Sequence, residues 1–202
     1  SRQQAFWRVR IWDENEQASA WSEPQKIELG LLSNADWQAQ WIGHPDTVLA
    51  KKPSQALIAT PQYLRTDFTV DGEVKHARLY ITSKGIFKPY VNGKAVAEND
   101  VMTPGWTPYA KRIETLTYDV TDMLSSGANA LSASLAGGWF SGRVAAFTER
   151  DHLVPPRLLA QLEITYANGE KRTVVTDNSW KVSQQGPIRF ASTYDGETYQ
   201  QD

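Results

Sequence analysis

The chain of 202 residues contains no cysteine, and this absence excludes several classes of function. Without thiols there is no disulfide framework, no cysteine nucleophile and no thiolate-bound metal. Histidine is scarce as well. His44, His76 and His152 are widely scattered and lack the spacing of a metal site, so we interpret them as ordinary surface or packed residues.

An excess of one charge and long apolar runs are also missing. The 21 Lys and Arg residues nearly balance 23 Asp and Glu residues, which gives a net charge of −2 and argues against a nucleic-acid or membrane-surface binder. No apolar run approaches the roughly 18 residues of a membrane span. Residues 1–10 do not resemble a signal peptide and read like the middle of a domain, so we expect a piece of a longer protein. The sequence leaves the compartment open between the inside and the outside of the cell.

The chain is rich in apolar and aromatic residues: 41% are hydrophobic, 11% are aromatic and eight are tryptophan. This composition is sufficient for a hydrophobic core and excludes wholesale disorder. Residues 63–70 and many later segments alternate between apolar and polar, and Asn92-Gly93 and Asn168-Gly169 are hairpin signals. The pattern predicts an all-β chain whose short strands form a β-sandwich or jelly roll, with one helix-like turn over residues 121–125.

Three segments are predicted. Residues 1–32 form a β-hairpin, residues 33–45 form a linker, and residues 46–202 form the sandwich. Because an isolated hairpin is marginally stable in water, residues 1–32 must pack on something else or belong to a sandwich whose earlier strands are missing. Packing against a neighbouring copy is one of these alternatives, so a homo-oligomer stays open.

Two turn-rich segments, residues 103–109 and 137–143, present aromatic side chains between prolines or glycines. Sugar binding uses such parts, since the C–H face of a pyranose packs on an aromatic ring while its hydroxyls need polar partners. The alternative is that these tryptophans plug the ends of the sandwich core. The candidate carbohydrate-binding residues are Trp106, Tyr109, Trp139, Arg143, Asn92 and Asp100.

Catalysis by the chain itself would need a pair of carboxylates about 5–10 Å apart across a cleft. The candidate pairs are Asp119 with Asp122 and Asp195 with Glu197. Both pairs flank tight turns, where Asp commonly caps backbone amides, and we favour that role over catalysis. The sequence contains none of the nucleophile-elbow, dinucleotide, P-loop or zinc-protease motifs.

A calcium site is a further hypothesis, since calcium binds carboxylate, amide and carbonyl oxygens. No EF-hand spacing is present, and turn formation is the favoured interpretation of the candidate residues. These are Asn99, Asp100, Asp119, Asp122, Asp177 and Asn178.

Several segments, in the same order, resemble bacterial α-L-rhamnosidases. The stretch AFWRVRIWDENEQASAWSEPQKIELGLL resembles the closing strands of their fibronectin-type-III-like domain, and DWQAQWIG resembles the segment that follows it. The stretches ARLYITSKGIFKPYVNGKAV, TPGWTPYAKRIETLTYDVTDMLSSGANAL and GGWFSGR resemble the jelly-roll, galactose-binding-like module that precedes their catalytic barrel. The resemblance covers nearly the whole chain.

The resemblance implies enzymes that remove terminal α-L-rhamnose from glycans or glycosides with catalytic acids in a downstream (α/α) barrel. It implies that this chain is a non-catalytic accessory module, inactive alone, that binds carbohydrate weakly, braces the barrel, or does both. In some relatives the jelly roll binds L-rhamnose together with calcium. The expected partners are therefore rhamnose-containing carbohydrate and the downstream domain of the same polypeptide, with no required cofactor, nucleic acid or membrane. The alternative is a purely structural β-sandwich of a glycosidase that acts on another sugar.

Overall fold

The computed structural model describes residues 1–45, 49–51, 57–142 and 154–200, so the predicted site residue Arg143 lies outside the described residues. The chain divides into two compact units, Ser1–Trp37 and Gln38–Asp202. The predicted bounds of the three segments stay a prediction. Within the described ranges, no helix is long and apolar enough to cross a bilayer.

The first unit contains an antiparallel pair, β1 (Gln4–Trp7) and β2 (Gln25–Glu28), and a single 3-10 turn at Asn34–Asp36. The Asp36 carboxylate accepts hydrogen bonds from the Arg2 guanidinium (2.8 Å) and from the Ser33 backbone N–H (3.1 Å). These bonds hold the beginning of the unit against its end.

Strand β1 has only four residues, although large side chains continue to alternate in sequence as far as Trp12. The reason lies in the hydrogen bonds beyond it. The amides of Val9 and Ile11 donate to the side-chain hydroxyls of Ser22 (2.9 Å) and Ser19 (3.1 Å), where a regular ladder would use backbone carbonyls. Serine hydroxyls therefore replace part of the strand pairing.

Aromatic rings and guanidinium groups alternate on this hairpin. The Arg10 guanidinium lies 4.7 Å from the ring centroid of Trp12 and 4.8 Å from that of Trp21, and Arg8 lies 4.6 Å from Trp21. Cation–π contacts of this kind contribute about 0.5–1 kcal/mol each at exposed positions.

The second unit contains thirteen strands in its described part and a 3-10 turn at Thr121–Met123. They are β3 (Leu49–Lys51), β4 (Leu57–Ala59), β5 (Gln62–Val70), β6 (Val74–Lys84), β7 (Ile86–Val91), β8 (Lys94–Ala95), β9 (Leu116–Asp119), β10 (Gly127–Ala136), β11 (Arg157–Tyr166), β12 (Lys171–Val175), β13 (Lys181–Ser183), β14 (Ile188–Ser192) and β15 (Gly196–Tyr199).

Two antiparallel sheets form the body of this unit. One has the strand order β13-β5-β10-β7-β8, and the other has the order β12-β11-β6-β9. Strands with one buried face alternate in burial, and the apolar residues of both sheets meet in a single core. Its fully buried members include Leu64, Leu131 and Leu135 from one sheet and Leu79, Ile81, Leu158 and Leu162 from the other. The predicted all-β, jelly-roll fold class is confirmed.

The predicted tight turns are confirmed too. Asn92 and Gly93, at φ 51° and 78°, join β7 to β8, and Gly169 at φ 89° lies between β11 and β12. Residues with φ above zero favour Asn and Gly, which is why these dipeptides are informative in sequence.

Residues of the predicted linker lie along the four-stranded sheet of the second unit. The backbone N–H of Gln38 donates to the Gln161 side chain (2.7 Å), and Ile42 forms an isolated antiparallel bridge with Leu158. A side chain at Gly43 would place its Cβ 2.7 Å from the Pro156 carbonyl oxygen. This part of the linker is therefore packed structure.

Candidate functional site

The loop of residues 101–112 is fixed to the beginning of β7. The Phe87 backbone N–H donates to the Thr103 carbonyl (3.0 Å), and the Thr103 hydroxyl donates to the Phe87 carbonyl (2.6 Å). The Thr103-Pro104 peptide bond is cis. Further along, the Thr107 hydroxyl donates to the Arg112 carbonyl (2.7 Å). These bonds hold the backbone on either side of Trp106.

The second aromatic loop, residues 137–142, follows β10 and folds closely on itself. The Gly137 carbonyl accepts from the backbone N–H groups of Phe140 (3.0 Å) and Ser141 (3.1 Å). Gly138 has φ 55°, and a Cβ there would lie 2.5 Å from Cγ2 of Ile86. Only glycine permits this approach to β7, so the loop position is fixed by sequence.

The two loops meet through their aromatic rings. The indole rings of Trp106 and Trp139 lie nearly parallel, with centroids 6.2 Å apart and an interplanar angle of 6°. Trp106 is 63% exposed, whereas Trp139 is half-buried. We call these two residues the tryptophan pair. Beside it on the same loops, Tyr109 and Phe140 form an edge-to-face contact at 5.2 Å and 81°.

Two buried hydroxyls on these loops have no hydrogen-bond partner in the described part of the chain: those of Tyr109 and Ser141. Burial raises the pKa of the Tyr109 phenol, so this group is neutral at physiological pH. An unpartnered buried hydroxyl costs free energy, and such groups in a folded protein call for an explanation.

Asn92 lies at the other end of β7 from Ile86, and its side chain is fully engaged. Its amide N–H groups donate to the Met123 carbonyl (3.0 Å) and to the Asn129 side chain (2.8 Å), and its oxygen accepts from the Ala130 backbone N–H (2.8 Å). Six residues of strand span about 20 Å. Asn92 is therefore separated from the Gly138 loop by the length of β7 and fixes a turn.

Asp100 precedes the Trp106 loop and accepts a hydrogen bond from the Tyr118 hydroxyl (2.7 Å). Burial, followed by this bond and the charge of Asp100, raises the pKa of Tyr118 far above its ordinary value. Asp100 also lines a cavity of about 240 Å³ with Val101 and Met102. Of the predicted site residues, the structure thus brings Trp106, Tyr109 and Trp139 together on two joined loops.

The candidate catalytic carboxylates make local contacts. Asp119 lies 2.8 Å from Nη1 of the buried Arg78 and accepts from the backbone N–H and hydroxyl of Thr121 (3.1 and 2.6 Å). Asp195 accepts from the Ser192 hydroxyl (2.9 Å). These are the bonds expected of turn and capping residues.

Among the described residues, no three His, Asp or Glu side chains converge as a metal site would require. Asp177, one of the calcium candidates, accepts from the hydroxyl (2.6 Å) and backbone N–H (2.8 Å) of Ser179, and these bonds lower its pKa. The calcium site stays a prediction, and no residue here is assigned to it.

Sequence reasoning missed a concave surface on the outward face of the five-stranded sheet, which we call the outer-sheet groove. Its cavity of about 580 Å³ is lined by Tyr63, Arg65, Tyr90, Ser132, Ser134, Lys181 and Tyr199, among others. The polar half of each alternating strand gives a signal for this face. Which polar residues become neighbours depends on strand register, which the alternation does not contain.

Two protein-family models match this chain. Residues 72–202 match the family described as the alpha-L-rhamnosidase N-terminal domain, and residues 1–33 match the Rha78A-like, N-terminal immunoglobulin domain. The chain is 61% identical over 199 residues to an alpha-L-rhamnosidase of Alteromonas sp. (strain LOR) and 48% identical over 203 residues to one of Formosa agariphila; each match covers 98% of this chain.

A crystal structure of native alpha-L-rhamnosidase from Aspergillus terreus is similar in fold, with a TM-score of 0.84 and 36% identity over 98% of this chain. The chain spans 22% of the length of the Alteromonas and Formosa relatives and 23% of the Aspergillus structure. It corresponds to about a fifth of these larger proteins.

Proposed function

This chain belongs to the family of alpha-L-rhamnosidase N-terminal domains, and on that premise we propose that it is an accessory module of an alpha-L-rhamnosidase that binds carbohydrate through the tryptophan pair. The observation that carries the proposal is the parallel packing of Trp139 against a largely exposed Trp106. Hydrolysis of terminal α-L-rhamnose belongs, in this proposal, to a downstream domain of the same polypeptide.

The chemistry of the pair suits a deoxy sugar. L-rhamnose has apolar C–H faces and a methyl group in place of one hydroxymethyl, and both lose contact with water when they pack on an indole ring. Because Trp139 supports Trp106, the exposed ring does not have to be ordered when a sugar arrives. The bonds between Thr103 and Phe87 fix the loop in the same way. Preorganisation of this kind lowers the entropic cost of binding.

Isothermal titration of the chain with L-rhamnose tests this proposal. We expect dissociation constants in the millimolar range, and a Trp106→Ala variant weakened at least about tenfold, which corresponds to about 1.4 kcal/mol. Trp12→Ala is the matched control, because Trp12 is also a largely exposed tryptophan (57%) but lies on the first unit. Absence of heat or of spectral shifts at millimolar sugar would refute carbohydrate binding at the pair.

Calcium is tested in the same experiment. Titrations with calcium and with a chelator are compared at constant ionic strength. A higher affinity for rhamnose in the presence of calcium would support the predicted calcium site. Equal affinities with calcium and with the chelator would argue that calcium has no part in rhamnose binding.

The assignment of catalysis to another domain has its own test. We expect no turnover of an aryl α-L-rhamnoside by the purified chain. Turnover that is lost in Asp119→Asn or in Asp195→Asn would refute the accessory role. It would support the alternative hypothesis that this chain is itself a glycosidase.

A second candidate function is bracing of a neighbouring domain, and the exposed side chains of the first unit favour it. Phe6 and Ile11 are each 69% exposed, and Trp7, Trp12, Trp21 and Ile27 are between 46% and 57% exposed. Exposed apolar surface of this density is typical of an interface. Sedimentation at increasing concentration distinguishes self-association from a surface that needs another domain; a monomer at all concentrations argues against the homo-oligomer.

A further inference from the structure

The outer-sheet groove has the size of a ligand site and is open to solvent. Its floor is the outward face of β13, β5, β10 and β7, and the segment that contains Pro187, Ile188 and Tyr199 forms one side. The cavity of about 580 Å³ falls within the usual range of small-molecule sites, about 300–1,000 Å³. It lies on the sheet face and uses none of the residues of the tryptophan pair.

Strand register sets the pattern of side chains across this floor. In one row, Ser134 lies between Tyr63 on β5 and Lys88 on β7. In the next row, Ser132 lies between Arg65 and Tyr90. The centre of the groove is therefore formed by small serine side chains, and the tyrosines stand at diagonal corners.

Small residues between larger ones leave the depression that the cavity fills. Among the described residues, the hydroxyls of Ser132 and Ser134 have no hydrogen-bond partner and lie half-exposed in the groove. A pyranose ring is suited to such a surface, because its axial C–H groups can pack on tyrosine while its hydroxyls bond to serine.

The side wall is held by Tyr63. Its hydroxyl accepts a hydrogen bond from the Ile188 backbone N–H (2.9 Å), and Gly186 passes so close to its ring that any Cβ there would overlap it. The segment leading into β14 is therefore fixed beside the groove, and a ligand does not have to order it.

The charges in the groove are unusual for a sheet. Lys181 on β13 lies directly opposite Arg65 on β5, and like charges in opposed positions destabilise a sheet. Lys181 has no ion pair in the described part of the chain. Arg65 pairs with Asp67 (2.6 Å), but both side chains are more than half exposed, so the pair contributes little. Glu197 is a further acidic group near the groove, since it lines the neighbouring cavity of about 240 Å³ together with Tyr63.

We propose that the outer-sheet groove is a second carbohydrate site that takes an acidic oligosaccharide, with its carboxylate or sulfate group at Lys181 and Arg65 and its rings over Ser132 and Ser134. A bound anion weakens the repulsion between the opposed cations, of which Arg65 has an ion pair with Asp67 and Lys181 has none among the described residues. This proposal goes beyond rhamnose binding at the tryptophan pair and does not depend on it.

Three tetrasaccharides of matched length test the class of ligand: an oligogalacturonate, its methyl ester, and a sulfated galactan fragment. Titrated into the chain at low salt, at least one of the charged probes binds, and the uncharged methyl ester binds at least about tenfold more weakly than that probe or not at all. Affinity falls as salt is raised, because the charges in the groove are exposed to solvent. Preference for the sulfated probe over the uronate, or the reverse, identifies the acidic group.

Two variants locate the site. Lys181→Gln lowers affinity for the bound probe about tenfold, whereas Lys171→Gln, an exposed lysine on the other sheet, leaves it unchanged. Ser132→Trp fills the floor and abolishes binding. Far-UV circular dichroism and thermal melting check that each variant is folded.

Two results overturn the proposal: no binding of either charged probe, or binding that Lys181→Gln and Ser132→Trp leave unchanged. Trp106→Ala separates the two sites. Loss of rhamnose binding in that variant, with acidic-probe binding retained, is the expected result. If the parent chain does not bind rhamnose, the proposed function fails, and the acidic tetrasaccharides still test the outer-sheet groove independently.

Discussion

The ring planes of Trp106 and Trp139 are parallel to within 6° although the two residues belong to different loops, one before β9 and one after β10. Their loops reach each other because both are attached to the beginning of β7, through Phe87 in one case and Ile86 in the other. The position of the tryptophan pair therefore depends on the sandwich. Substitution of the glycines in the residue 137–142 loop should change both the free energy of unfolding and the affinity for sugar.

Gly138→Ala tests this dependence. The new Cβ would lie 2.5 Å from Cγ2 of Ile86, and φ is 55°, so the substitution adds a clash to backbone strain. We expect a loss of about 2–3 kcal/mol in the free energy of unfolding, measured by urea denaturation. Gly93→Ala is the control, because φ is 78° there but nothing lies within 4 Å; it should lose about 1 kcal/mol. Equal losses would show that the contact with Ile86 is unimportant.

The Arg78–Asp119 ion pair should matter more than the surface pairs. Arg78 is 5% exposed, and removal of its partner leaves a buried guanidinium with less compensation. Since Asp119 itself is 58% exposed, water replaces part of the lost interaction, and we expect Asp119→Asn to cost about 1–2 kcal/mol. Asp67→Asn, in the exposed pair with Arg65, should cost less than about 0.5 kcal/mol. The reverse order, measured by denaturation, would contradict this account.

The Tyr109 hydroxyl is buried without a partner among the described residues, so Tyr109→Phe should leave stability unchanged or raise it by up to about 1 kcal/mol. Tyr63→Phe is the matched change, and it removes a hydroxyl that accepts from the Ile188 N–H. That variant should lose about 1 kcal/mol. If Tyr109→Phe is the more damaging of the two in thermal unfolding, the Tyr109 hydroxyl has a partner in solution.

Acid should weaken the fold partly through Asp177. Its pKa is lowered in the folded state by the bonds from Ser179, so folding is favoured while the carboxylate is charged. This contribution is present above the unfolded value near 3.8 and is lost as pH falls through the lower folded value. Asp177→Asn should therefore show a smaller difference between its urea midpoints at about pH 5 and about pH 2.5 than the parent chain. An unchanged difference would exclude Asp177 as a contributor.

The parts of the fold that could be predicted are those determined by residues close together in the sequence. Alternation in β5 and β10, and the Asn92-Gly93 turn, follow from side-chain periodicity and from backbone preferences of single residues. The lengths of strands at the start of the chain could not be predicted, because serine hydroxyls at Ser19 and Ser22 replace carbonyls there. Nothing in the alternation distinguishes a carbonyl acceptor from a hydroxyl acceptor.

The candidate site was predictable in its aromatic members and less so in its polar ones. Proline and glycine beside Trp106 and Trp139 indicate that these rings lie on loops, and the two loops do meet. Asn92 and Asp100 are candidates by residue type, and type alone does not reveal that the Asn92 side chain bonds to Met123 in the 3-10 turn and to two residues of β10. The outer-sheet groove could not be predicted, because Lys181 and Arg65 become neighbours through strand register.

The hydrogen bonds of Asn92 also affect how readily this residue deamidates. An Asn-Gly sequence loses ammonia slowly in water when the glycine nitrogen attacks the side-chain carbonyl, and this chemistry requires the side chain to rotate freely. The side chain of Asn92 is held by three hydrogen bonds to the 3-10 turn and β10, whereas that of Asn168, in an exposed hairpin, bonds within the described residues to Glu170 alone. During long storage the chain should therefore deamidate first at Asn168, and the turn that closes β7 should keep its original chemistry.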